Sequence, residues 1–190
     1  YTVPGLVFTD SPVHTDAYYA AKARALALLG ADAVFIKDPS GLLLPERAAT
    51  LVAAIKAEIG LLPLQLHSHC LTGLAPYVAL TAVEHGVDCV HTATSTLADG
   101  ASHPATEGIV RNLRRRGHTL DLDLAPIEQT ARILFEIAAS EGKPVGAALP
   151  YDEFHFHHQV PGGMISNLRY QLSTMGMEAR LQEILEEAGR

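Results

Sequence analysis

The chain has 190 residues, of which 48% are hydrophobic and 18% charged, enough apolar material to bury a core and too much to remain disordered. A formal net charge of -7 disfavours a nucleic-acid partner, and no apolar run approaches the roughly 20 residues needed to cross a bilayer. The opening Tyr1-Thr2-Val3-Pro4-Gly5 has neither the basic end nor the cleavage site of a signal peptide, so a soluble, cytoplasmic chain is expected.

A strand-then-helix unit recurs four times, with strand centres near Val7, Val34, Leu64 and Val90, a spacing of roughly 26 to 30 residues such as a parallel βα crossover needs. The intervening helices are predicted over Ala20 to Leu29, Glu46 to Ile59 and Gly73 to His85. They stop at Gly30, Gly60 and Gly86, where glycine can take the left-handed C-terminal conformation. The strands Ala33 to Ile36 and Leu62 to Leu66 are nearly continuous apolar runs, as expected when helices cover one side and other strands' side chains fill the other. Polar residues gather at the C-terminal ends: Thr9-Asp10-Ser11, Lys37-Asp38, His67-Ser68-His69 and Thr92-Ala93-Thr94-Ser95. In parallel α/β folds that edge is where active sites are built.

Beyond Pro104 the pattern becomes helical. Thr106 to Arg116 and Ala125 to Ser140 read as amphipathic helices, the first ending in the basic run Arg114-Arg115-Arg116 and the second capped from Asp121-Leu122-Asp123. Glu153 to Pro161 is rich in histidine and aromatics and alternates like a strand at His155 and His157. Pro161-Gly162-Gly163 signals a turn before the apolar period of Met164, Leu168 and Leu172, and a last helix lies near Glu178 to Glu187. Four βα units cannot close an eight-stranded barrel, whose usual size is about 250 residues, so the chain is expected to be part of a longer protein.

The two cysteines, Cys70 and Cys89, form no CxxC pair and read as free thiols. The 10 histidines cluster at 67/69, 85/91 and 155/157/158, which points to metal or proton chemistry. His67 and His69 are two apart on a strand, so their rings project from one face and can grip one ion; imidazole suits zinc, manganese or cobalt. Satisfied core or surface histidines are the alternative. Lys37 ends an apolar strand, where an unpaired ammonium would be strongly disfavoured. Two readings remain open: an ion pair with a nearby acid, Asp38 included, or a neutral amine that takes up carbon dioxide as a carbamate and becomes an anionic oxygen ligand.

Three blocks together carry a resemblance: Phe35-Ile36-Lys37-Asp38-Pro39-Ser40-Gly41-Leu42-Leu43, Leu66-His67-Ser68-His69-Cys70, and His158-Gln159-Val160-Pro161-Gly162-Gly163-Met164-Ile165-Ser166-Asn167-Leu168. With Thr9-Asp10-Ser11-Pro12-Val13-His14-Thr15, they resemble the carboxyltransferase domains of oxaloacetate decarboxylase alpha subunits, pyruvate carboxylases and transcarboxylase. The likeness covers essentially the whole chain. It implies an α/β fold, the C-terminal half of a (β/α)8 TIM barrel over residues 1–118, with the last barrel helix and the start of a helical extension over 119–190. It also implies carboxyl transfer between carboxybiotin and pyruvate or oxaloacetate at a divalent metal. In that reading Lys37, carbamylated, and His67 and His69 are the catalytic metal ligands, biotin arrives on a partner or separate domain, and the protein is a homo-oligomer. The family's ligand aspartate and its keto-acid-binding arginine and glutamine would precede Tyr1, and its catalytic threonine would follow Arg190, so the chain by itself is expected to be inactive.

Two positions depart from the family pattern. Cys70 follows the second histidine where many members have Asp or Tyr; it could ligate metal or fill space. His103 stands where the family has glutamine before proline, and Ser102 and Thr106 beside it would cap a helix or touch substrate. His155 and His157 are expected to pack the extension onto the barrel rather than form a second metal site. Two competing functions remain: a metal-dependent lyase or aldolase of the hydroxymethylglutaryl-CoA lyase group, which shares the HxH strand but not the Pro-Gly-Gly-Met block, and a non-catalytic assembly module.

Overall fold

The apolar runs form β1 (Gly5–Val7), β2 (Val34–Asp38), β3 (Leu64–Ser68) and β4 (Cys89–Val90), all parallel and hydrogen-bonded in the order β1-β2-β3-β4. The structure, a computed structural model, describes residues 1–190. Strand order follows chain order without reversal, as in a barrel wall and unlike a doubly wound sheet. Helices α1 (Asp16–Leu28), α2 (Pro45–Ile59), α3 (Ala75–Glu84) and α4 (Thr106–Arg115) connect or follow the strands, and each packs on the next. The predicted glycine stops hold: Gly30, Gly60 and Gly86 all have positive φ.

Two helix starts differ from expectation for local reasons. α1 begins before Ala20 because Thr15 Oγ1 accepts from Tyr18 N at 3.2 Å and Asp16 sits in the positive first turn. α3 begins after Gly73, since that glycine adopts φ +77 where a Cβ would stand 2.8 Å from the Leu149 carbonyl oxygen.

The period-two pleat sorts β2 and β3 into two faces. Val34, Ile36, Leu64 and Leu66 turn toward the helices and meet Leu51, Val52, Ile55 and Val78, all essentially inaccessible to solvent. Each such side chain contributes about 1.5–3 kcal/mol relative to exposure, so stability resides on this side of the sheet. Asp38 lies in the same buried row. Its Oδ1 accepts from Leu42 N at 2.9 Å, and its Oδ2 accepts from Leu43 N at 3.1 Å and Ser68 Oγ at 2.8 Å. Burial pushes its carboxyl pKa up, against the opposing pull of these donors. The carboxylate thus pins the turn after β2 and ties β2 to β3. An ion pair between Lys37 and Asp38 is excluded, because successive strand residues face opposite ways; no carboxylate of the chain lies within pairing distance of Lys37.

After α4, whose basic end is exposed as expected, α5 (Leu124–Glu141) is capped by Asp123, whose Oδ1 accepts from Ala125 N at 3.0 Å. The remaining elements are α6 (Phe154–His158), α7 (Gly162–Thr174), a 3-10 turn at Glu178–Arg180, and α8 (Leu181–Ala188). The strand-like reading of His155 and His157 is corrected by α6. Asp152 Oδ1 accepts from Phe154 N at 3.0 Å and Oδ2 from His155 Nδ1 at 3.1 Å, turning the chain into one helical turn. The packing expectation for this stretch holds at Phe156, which lies against the main core.

The extension returns to the strand ends. Gln159 Nε2 donates to Asp10 O at 2.8 Å, Gln159 Oε1 accepts from Asp10 N at 3.2 Å, and Ser40 Oγ donates to Gln159 O at 2.8 Å. No helix is long and apolar enough to cross a membrane.

Replacing Asp38 by Ala leaves Leu42 N–H, Leu43 N–H and the Ser68 hydroxyl without their acceptor, and should lower the unfolding free energy by about 3 kcal/mol. Urea titration of the variant checks this; a loss under about 0.5 kcal/mol, the size of an ordinary surface change, would remove the carboxylate from its structural role.

Candidate metal centre

The face opposite the helical core carries Phe35 and Lys37 on β2 and Gln65 and His67 on β3, all partly accessible. Lys37 and His67 are paired in the parallel register, so their side chains leave neighbouring strands on the same side. The ladder runs on through His91 N, which donates to Leu66 O at 2.8 Å and places His91 beside His67. His69 follows directly, its N–H bonded to Asp38 O at 3.1 Å. Gly41 makes this approach possible: at φ +66, a Cβ there would lie 2.6 Å from the His69 carbonyl oxygen.

Hydrogen bonds fix which nitrogen of each ring carries the proton. Gln65 Oε1 accepts from His91 Nε2 at 3.0 Å, which leaves His91 Nδ1 to accept from His67 Nδ1 at 3.0 Å. His67 therefore presents an unprotonated Nε2. His69 Nδ1 donates to Ala101 O at 2.7 Å, so its Nε2 is also a lone pair, and the two Nε2 atoms face each other at 3.2 Å. Two lone pairs in that position repel unless a cation lies between them. Two imidazole nitrogens bound tetrahedrally to one zinc ion at about 2.0–2.1 Å would be roughly 3.4 Å apart, close to what is found.

The site also disfavours protonation. Burial, then the neighbouring His103, His69, His91 and Lys37, lower the His67 pKa to about 4. Burial lowers His69 and His91 in the same direction. These neutral rings are suited to divalent first-row ions. A third ring joins them: one nitrogen from each of His67, His69 and His103 lies within 4.8 Å of those of the other two.

The remaining sequence candidates separate clearly. Cys70 is buried, and burial together with Asp99 pushes its thiol pKa up to about 12, so it fills space rather than offering a thiolate. Cys89 is exposed, and both thiols are free, as expected. Capping by Ser102 or Thr106 is corrected: Ala105 precedes α4 with no side-chain cap, while Thr106 Oγ1 donates to Ala93 O at 3.0 Å and bonds Thr92 Oγ1 at 2.8 Å, tying α4 to the end of β4. His85 ends α3, hydrogen-bonded to Thr81 O and away from the cluster. Sequence reasoning missed Gln65 and His91 as supports and His103 as a converging ring. The available signal was register: His91 stands one place after the predicted centre of a strand adjacent to the HxH strand.

Residues 7–134 match the HMGL-like family, and residues 156–190 match the conserved carboxylase domain. The chain belongs to the HMGL-like family. Within it, the chain is 37% identical over 188 residues to a pyruvate carboxylase subunit of Methanocaldococcus jannaschii, covering 97% of this chain and 33% of that protein. It is 34% identical over 186 residues to the methylmalonyl-CoA carboxyltransferase 5S subunit of Propionibacterium freudenreichii, covering 97% of this chain and 37% of that one. The carboxyl transferase domain of Rhizobium etli pyruvate carboxylase, solved with pyruvate, superposes with a TM-score of 0.89 at 28% identity, over 97% of this chain and 32% of that chain. The chain thus spans about a third of the length of the curated relatives it matches. The expected fold class holds: these parallel strands and helices match a part of the carboxyltransferase TIM-barrel domain.

The lowered histidine pKa values set a direction for stability against pH. Unfolded histidine titrates near its ordinary pKa of 6.5, whereas folded His67 stays neutral to about 4, so between those values the unfolded chain binds more protons. The stability of the metal-free chain should therefore be fully present above pH 6.5 and fall as the pH drops toward 4, with His69, His91 and His158 acting in the same sense. Denaturation midpoints measured at about pH 7.5, 6 and 5 test this, and His67→Phe should flatten the slope; an unchanged slope in the variant would contradict the assignment.

Proposed function

We propose that the chain supplies the metal-binding edge of a biotin-dependent carboxyltransferase of the oxaloacetate decarboxylase and pyruvate carboxylase type, with Lys37, His67 and His69 as ligands of one divalent ion. The observation that carries this reading is the pair of opposed Nε2 lone pairs at 3.2 Å, beside a register-paired lysine with no carboxylate partner in the chain. The names of the relatives supply the reaction class: a pyruvate carboxylase subunit, the methylmalonyl-CoA carboxyltransferase 5S subunit and the 2-oxoglutarate carboxylase large subunit.

In this proposal the Lys37 side chain, once its amine has given up its ammonium proton to water, adds through the nitrogen lone pair to the carbon of carbon dioxide and releases a second proton to water, leaving a carbamate that would offer the ion an anionic oxygen. The Gln65–His91–His67 chain of hydrogen bonds keeps the His67 Nε2 free, and the Ala101 carbonyl does the same for His69. Lys37, His67 and His69 would hold a zinc, manganese or cobalt ion, which would supply Lewis-acid polarisation of the carbonyl of a keto acid such as pyruvate or oxaloacetate. Biotin on a carrier domain exchanges a carboxyl group with that acid. We further place residues 1–118 as the barrel half and 119–190 as the last barrel helix and the beginning of the extension, in a cytoplasmic homo-oligomer. Acting alone, the chain is inactive in this reading.

His67→Ala in the intact protein should abolish both metal content by elemental analysis and carboxyl transfer between carboxybiotin and pyruvate. Lys37→Ala should lower both while leaving the circular dichroism spectrum unchanged. Full activity retained by His67→Ala would reject the proposal.

A further inference from the structure

The loop between β4 and α4 is fastened to the HxH segment by three consecutive bonds. Cys70 N donates to Ser102 O at 2.9 Å, His69 Nδ1 to Ala101 O at 2.7 Å, and His103 Nδ1 to Ser68 O at 2.9 Å. The loop closes on itself through Asp99 N, which donates to His103 O at 2.8 Å, and Asp99 takes a left-handed φ of +67 to do so. His103 is thus held by its backbone and by one ring nitrogen at once. Since a carbonyl can only accept, His103 Nδ1 carries a proton, which leaves Nε2 as the ring's one nitrogen able to bind a cation.

The His103 ring centroid lies 4.2 Å from that of His67 and 4.7 Å from that of His69, and no carboxylate is paired with it. All three rings direct Nδ1 to an outer acceptor, and one nitrogen of each lies within 4.8 Å of those of the other two. In metal sites an outer hydrogen bond of this kind both orients the ring and selects its tautomer.

We infer that His103 is a further ligand of the same ion, making the centre a three-histidine site. The inference rests on the metal-centre reading above and deepens it. Its chemical consequence is selectivity: a third imidazole ligand favours nitrogen-preferring ions such as zinc and cobalt over magnesium and manganese, which prefer oxygen.

The test uses the intact protein loaded with cobalt(II), with X-ray absorption counting the imidazoles around the ion. Three imidazoles in the unaltered protein and two in His103→Asn support the inference; the asparagine amide can still donate to Ser68 O but has no nitrogen in the Nε2 position. The same substitution should weaken cobalt binding roughly 10- to 100-fold by chelator competition and narrow the preference for zinc over manganese. Two imidazoles in the unaltered protein would overturn the role of His103 while leaving His67 and His69 in place. If the unaltered protein takes up no cobalt, or His67→Ala takes it up undiminished, the underlying reading fails and this one with it. Because the count is made first on the unaltered protein, the outcome does not depend on how the variant folds.

Discussion

The site depends on the two-residue alternation of β2 and β3, held in register by their parallel ladder. That pleat sends Ile36, Asp38, Leu66 and Ser68 into the helical core and turns Lys37 and His67 out on the other face. A slip of one residue in either strand would bury the lysine or a histidine among leucines and expose the core row. The register is fixed from the core side by apolar packing and by Asp38, whose buried carboxylate joins both strands and the turn that follows. The chemistry on one face is therefore positioned by packing on the other.

A second feature of the centre is its charge state. Burial, then the surrounding rings and Lys37, hold His67 and His69 below the usual imidazole pKa, and each ring of the centre is oriented by an acceptor behind it: a glutamine side chain acting through His91, and two backbone carbonyls. Donors oriented in this way would need little reorganisation to meet a cation. The buried thiol of Cys70, next in sequence to His69, is kept protonated by the same dry surroundings and contributes volume only.

Much of the fold could be read from the amino-acid sequence because its local signals agree with one another. Glycines at 30, 60 and 86 end three helices where the left-handed conformation is needed, and the apolar runs at 34–36 and 64–66 could only be strands buried on the helical side. Lys37, His67 and His69 were legible because a strand's period puts polar residues at its end on a common face. His91 and His103 were not, since their place depends on cross-strand register and on a loop held by three hydrogen bonds, neither of which is written in local spacing. The alternation at 154–158 misled for a related reason: a two-residue period marks a strand only where a partner strand exists, and here Asp152 bends the backbone into a helical turn instead.

The double hydrogen bond between Gln159 and the backbone of Asp10 joins positions 149 residues apart. Loop-closure entropy makes so distant a contact one of the last to form. During synthesis the βα units can pack as they emerge, yet the end of the first strand has no partner for its Asp10 backbone groups until the α6 turn has left the ribosome. Assembly of the rim is thereby coupled to completion of the extension, and a chain interrupted before Gln159 would keep its packed interior while the strand-end edge stayed unfastened.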